Sequence, residues 1–129
     1  MALTHSTTAR NAATDAVTAL IGASGNLVFR LTGSVGSPGT AVATLALSAD
    51  AFGNASSGVA TANSITADTN ATGNALPVAT ATLETSGGTV HVQAEVAASG
   101  DDIDMSGGLT VDAGDTVSCS ALTYAAIPQ

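Results

Sequence analysis

Apolar and polar positions recur along this chain with two different periods, and the change falls at Gly22. Before it, Ala9, Ala13, Ala16, Val17, Leu20 and Ile21 return at helical spacing. Ser6-Thr7-Thr8 offers N-cap hydroxyls and Gly22 a stop, so the pattern predicts one helix with both ends marked. After it the period is two. Residues 26–32 predict a strand with Leu27, Phe29 and Leu31 on one face and Val28, Arg30 and Thr32 on the other. A Gly/Ser loop follows, ending in the turn signal Pro38-Gly39. Residues 41–47 form a second predicted strand, with Ala41, Ala43, Leu45 and Leu47 sharing a face. Residues 48–58 then read as a loop anchored by Phe52.

Further along, the pattern predicts a weak, Ala-rich strand over 59–65 and a polar loop over 68–74. The clearest hairpin joins 75–84 to 89–97 through Ser86-Gly87-Gly88. In its second strand Val90, Val92, Ala94 and Val96 alternate with His91, Gln93 and Glu95. The acidic stretch 99–102 precedes short strands at 103–105 and 109–111. Asp112-Ala113-Gly114-Asp115 turns the chain into a last long strand over 116–124, and Pro128 marks the end of pairing. Roughly seven or eight short strands, with turn signals about every 8–12 residues and no crossover helix, predict a mainly β fold. The expectation is a jelly-roll-like antiparallel β-sandwich with one N-terminal α-helix. Residues 1–25 form an arm and helix, and 26–129 a single β-sandwich domain. A β-solenoid is the lesser alternative, since no fixed repeat period is visible.

Composition makes the core of that sandwich thin. Hydrophobic residues make up 45% of the 129 positions, but aromatics only 2%, and there is no Trp. Ala supplies much of the rest, and burying it removes far less apolar area than burying Leu or Phe. The larger side chains expected in the core are Leu27, Phe29, Leu31, Leu45, Leu47, Ile65, Leu83, Val90, Val92, Val96, Ile103, Leu109, Val111, Val117 and Leu122. A core of this kind implies a modestly stable monomer that gains from burial against copies of itself or a larger scaffold.

Charge narrows the partners. Arg10 and Arg30 are the only Lys/Arg side chains against ten acids, for a formal charge of −8. Phosphate neutralisation needs several basic groups, so neither nucleic acid nor an anionic membrane surface is an expected partner. No apolar run approaches the ~20 residues that span a bilayer. Residues 1–5 lack the basic and apolar regions of a secretory signal. Without one, Asn54-Ala55-Ser56 and Asn70-Ala71-Thr72 read as chance matches to the glycosylation sequon.

Little of the chain suits catalysis. Cys119 stands alone, so no internal disulfide is possible, and its β-patterned surroundings suggest a buried structural thiol. His5 and His91 are the only imidazoles, and His91 on a polar strand face reads as an exposed histidine, near enough to Glu84 or Glu95 for a polar pair. Glu84 and Glu95 lack the aromatic surface a sugar site would want. One Cys and two distant His argue against zinc. Asp101, Asp102, Asp104, Asp112 and Asp115 supply hard oxygens, but without a recognisable calcium-loop spacing they read as turn formers. Gly33, Gly36 and Gly39 have no Lys or helix after them to make a phosphate loop. No catalytic residue, cofactor or metal site is expected.

The order of segments carries a resemblance. Residues 8–17, Thr-Ala-Arg-Asn-Ala-Ala-Thr-Asp-Ala-Val, precede a short strand and Gly/Pro loop. Then come Leu45-Ala46-Leu47-Ser48-Ala49-Asp50-Ala51-Phe52-Gly53, Gly58-Val59-Ala60-Thr61-Ala62 and Leu109-Thr110-Val111-Asp112-Ala113-Gly114-Asp115-Thr116-Val117. Together, over nearly the whole chain, these resemble the small virion proteins with which tailed bacteriophages decorate or cement their heads. The resemblance implies a non-enzymatic β protein on the outer surface of the capsid, bound to the major capsid protein as a homodimer or homotrimer. A tail- or fibre-associated host-binding module is the alternative, and a small hydrolase a distant third. Arg10, Val17, Leu20, Ile21, Arg30 and His91 are the candidate interface residues. The helix is either a docking element, in which case deleting residues 1–22 weakens binding more than folding, or a cover for the sheet.

Overall fold

The computed structural model describes residues 3–127; Pro128, expected to end the pairing, lies outside them. The fold is mainly β, a sandwich with one helix at its N-terminal end. Helix α1 spans Thr7–Ile21; the Ser6 hydroxyl caps it by accepting from the Ala9 N–H at 3.1 Å, and Gly22 ends it at φ +71°. The strands that follow are β1 Asn26–Arg30, β2 Gly33–Ser34, β3 Ser37–Pro38, β4 Ala41–Leu47, β5 Ala60–Thr61, β6 Ile65–Thr66, β7 Thr80–Glu84, β8 Val90–Ala97, β9 Ile103–Asp104 and β10 Thr123–Tyr124. Six of them make the main sheet in the order β6-β4-β1-β7-β8-β9. All its pairings are antiparallel except β8 with β9, which is parallel. The second layer is thinner: β5 pairs β10, and extended segments around Phe52, Ala71, Val78, Val111 and Val117 complete it.

Alternation places most of the core as expected, but a register shift between Phe29 and Arg30 brings Val42 fully into it and leaves Ala41 half-buried, and Val28, on the other face of β1, is buried as well. Leu27 and Phe29 of β1, Ala43, Leu45 and Leu47 of β4, and Ala81 and Leu83 of β7 are buried on one face of the sheet. Leu31, Ile65, Val92, Ile103, Leu109 and Leu122 pack against them, half-buried. Val90 sits apart from this cluster, because a bulge between Leu83 and Glu84 shifts the β8 register just there. Small residues supply much of the remainder: Ala43, Ala51, Ala60, Ala71 and Ala81 are all buried.

The second half of the chain forms less strand than its alternation predicts. The stretch 59–65 yields only β5 and the start of β6, and 75–84 contributes strand from Thr80 onward. Residues 109–111 form no strand, and 116–124 holds a single bridge at Val117 before β10. Isolated backbone bonds replace ladders there: Asn74 N–H to Val111 O at 2.8 Å, Val78 N–H to Leu109 O at 2.8 Å, and a reciprocal pair between Asp68 and Val117. Ser-, Thr- and Ala-rich segments bury too little on either face to hold a long strand against turn-forming Asp and Gly.

Candidate functional site

The helix docks with Arg10, Asn11, Thr14 and Asp15 turned inward beside Ala13, Val17 and Ile21. Arg10, Asn11, Thr14 and Asp15 all grip backbone groups of the segment 55–58. Arg10 Nη2 donates to Ser57 O at 2.8 Å, and Asn11 Oδ1 accepts from the Gly58 N–H at 2.7 Å. Thr14 Oγ1 donates to Gly58 O at 2.8 Å, and Asp15 Oδ1 accepts from the Ala55 N–H at 2.7 Å. Thr14 also accepts from the Ala126 N–H at 3.1 Å, so one hydroxyl ties the helix to both the 55–58 loop and the C-terminal segment. Gly58, at φ +83°, is where the backbone passes under the Arg10 guanidinium; a Cβ there would come within 2.7 Å of Nη2.

This arrangement decides what the helix leaves outside. Thr14 is 0% and Ile21 1% exposed, whereas Leu20 is 54% exposed. Ala9, Ala12, Ala16, Ala19 and Leu20 lie together on the outer face, at positions that return every three or four residues. The helix is therefore integral to the fold and also presents an apolar stripe outward. Removing residues 1–22 would delete the buried Ile21 and the whole grip on residues 55–58, so truncation does not separate docking from folding.

The candidate interface residues fall into two groups. Arg10 and Ile21 are engaged inside the fold, and Val17 is half-buried on the inward side. Arg30 lies across the outer face of the main sheet, where Nη2 meets Glu84 Oε2 at 2.9 Å with side-chain exposures of 13% and 9%. Its Nε donates to Thr82 Oγ1 at 3.1 Å and its Nη1 to Gly39 O at 2.6 Å. The Thr82 hydroxyl in turn donates to Glu84 Oε2 at 2.9 Å. Glu84 thus pairs with Arg30 rather than His91. Leu20 is exposed, and His91, on the outermost long strand, is half-buried.

Open clefts lie between the main sheet and the segment 115–125. The larger, of about 600 Å³, is open to the surface between the largely polar segments 102–110 and 115–123 and reaches Phe29 past Met105, Val111 and Leu122. A second, of about 320 Å³, lies against Leu27, Leu83, Val92 and Ala94, and the two share Asp102, Ile103, Leu122 and Thr123. Cys119 lines the larger one, half-buried and unpaired; burial pushes its thiol above the usual range, which lowers its reactive thiolate fraction.

The acidic residues serve the backbone. Asp101 Oδ1 accepts from the Asp102 N–H at 3.0 Å, and Asp104 Oδ1 from the Asp101 N–H at 3.2 Å. Asp115 Oδ2 accepts from the Asp112 N–H at 3.0 Å. Among the described residues no three His, Cys, Asp or Glu side chains converge on a metal-sized site. The functional residues that pattern reading misses are Asn11, Thr14 and Asp15. Their one visible signal is three polar side chains capable of hydrogen bonding, placed mid-helix where propensity alone disfavours them. No protein-family model, curated protein or solved structure matches this chain.

Proposed function

We propose that this protein is a non-enzymatic structural component of a tailed-phage virion, decorating and cementing the outer surface of the capsid by binding the major capsid protein as a homo-oligomer. The observation that carries the reading is the outer face of the helix: Arg10, Asn11, Thr14 and Asp15 are spent on the fold, while Ala9, Ala12, Ala16, Ala19 and the exposed Leu20 are turned out. An exposed apolar face on a small domain marks a contact surface. The resemblance in segment order supports the same reading, and so does the charge of −8, which keeps an outer protein off nucleic acid. Many weakly held copies strengthen a shell through multivalency without any catalytic group.

Leu20→Asp is the direct test. Because Leu20 projects from the fold, the substitution is expected to change stability by no more than about 0.5 kcal/mol. Binding to particles that lack the protein is expected to fall at least tenfold, read by co-sedimentation with purified heads. Undiminished co-sedimentation of the Leu20→Asp variant, or no binding of the unaltered protein, contradicts the proposal.

A further inference from the structure

Two strand edges border the same clefts, and neither is finished. In the main sheet, Met105 N–H donates to Ala97 O at 2.8 Å. In a parallel ladder that turns Ile103 toward β8 and the Asp104 N–H and C=O away from it. In the second layer, Ala62 N–H donates to Leu122 O at 2.9 Å, so Leu122 and Tyr124 face β5 and the Thr123 N–H and C=O face away. Neither of these two rungs has a hydrogen-bond partner among the described residues. Asp104 and Thr123 both line the larger cleft. The β4 edge is finished differently: Val42 O accepts from the Gly73 N–H, Thr44 N–H donates to Asp68 Oδ2, and Ala46 pairs with β6. Covered edges resist further pairing, and open ones accept an added strand.

We infer that the opening between β9 and β10 takes an extended, basic segment of a partner protein, which adds as a strand on these free rungs. Strands run at about 3.3 Å per residue, about 4.8 Å from a neighbour and about 10 Å from a facing layer. At those spacings a cleft of about 600 Å³ holds about four residues. Its floor is apolar and its rim acidic. Alternate side chains of an added strand enter toward Phe29, Val111 and Leu122, and the others project beside the exposed Asp102, Asp104 and Asp115. No Lys or Arg lines either cleft. Charge decides the occupant. Arg10 and Arg30, the only Lys or Arg residues of the chain, are both hydrogen-bonded within the fold, so a second copy brings no free ammonium or guanidinium side chain to this rim. A partner with lysine or arginine at alternate positions does, and its apolar residues between them fill the floor. The site deepens the proposed function by giving the form of the capsid-protein segment that is bound, and it rests on that reading only for the owner of the segment.

The probe is a capped octapeptide of alternating valine and lysine, titrated into the full chain. Amide hydrogen exchange, followed residue by residue by NMR, should slow at least about tenfold at Asp104 and Thr123 on saturation. The double variant Asp104→Asn, Asp115→Asn keeps an oxygen for each turn hydrogen bond, so it should fold as before and bind the peptide at least fivefold more weakly. Two control peptides should leave both amides unchanged: one with glutamate in place of lysine, and one N-methylated at every second residue, which removes the ladder donors and keeps the charge. Unslowed exchange at Asp104 and Thr123, or equal binding of either control, overturns the inference. So does protection at Gln93 of β8 instead, or protection of both amides by self-association before any peptide is added. If the peptide binds as expected but the protein does not co-sediment with heads, the strand site stands and the capsid protein is not its partner.

Discussion

Thr14→Val is expected to destabilise the protein by about 2–4 kcal/mol, although it replaces a side chain of nearly the same shape. The hydroxyl is fully buried and serves two backbone groups, donating to Gly58 O and accepting from the Ala126 N–H. Removing it leaves both without a partner, and each buried orphan costs about 1–3 kcal/mol. For a domain of this size the melting temperature should fall by roughly 10 °C. Thermal unfolding followed by circular dichroism measures it. Thr14→Ser, which keeps the oxygen, should recover most of the loss. A fall of under about 2 °C for Thr14→Val, on the same scale, would mean that the helix is held by its apolar contacts instead.

Arg30→Met is the second large effect, expected to cost about 3–5 kcal/mol. Arg30 and Glu84 lie across the centre of the main sheet, on adjacent strands β1 and β7. Taking away the guanidinium leaves the Glu84 carboxylate nearly buried without its cation, and removes the donors to Thr82 and Gly39. The Gly39 bond pins the turn beyond β3 to the sheet, so the loss reaches past the ion pair itself. The double variant Arg30→Met, Glu84→Met should regain most of the stability, because no uncompensated charge remains. Urea unfolding of the single and double variants separates the two contributions. Additive losses would show that the two side chains act independently.

Periodicity is enough to locate α1 and its two caps, and to set the core face of β1 and of most of β4 and β8, failing only at the bulges beside Val42 and Val90. It works there because Leu, Val and Phe alternate with polar residues strongly enough to set one register. It does not give the orientation of the helix. Of the six apolar positions that mark the helix, Ala13, Val17 and Ile21 turn inward and Ala9, Ala16 and Leu20 outward, and Arg10, Asn11 and Thr14 share the inward side because residues 55–58 present backbone groups that need partners. A demand made by a loop some forty residues away leaves no trace in local hydrophobicity. The last third of the chain holds less strand than its alternation predicts for a related reason. Ser, Thr and Ala alternate at 116–124 as they would in a sheet, but carry too little apolar area to hold a ladder, and single backbone bonds to distant segments prevail. Of the candidate interface, Leu20 is exposed and His91 half-buried, while Arg10, Ile21 and Arg30 serve the fold.

The outward helix face and the acidic surface converge on one proposed role, that of a protein coating a viral head. Cryo-electron microscopy of intact particles carrying a labelled copy of this chain tests it most directly. Density is expected to repeat over the whole outer shell, seated on the major capsid protein, with the Leu20 face of the helix toward it. Label confined to the tail or fibres, or absent from particles, would contradict it.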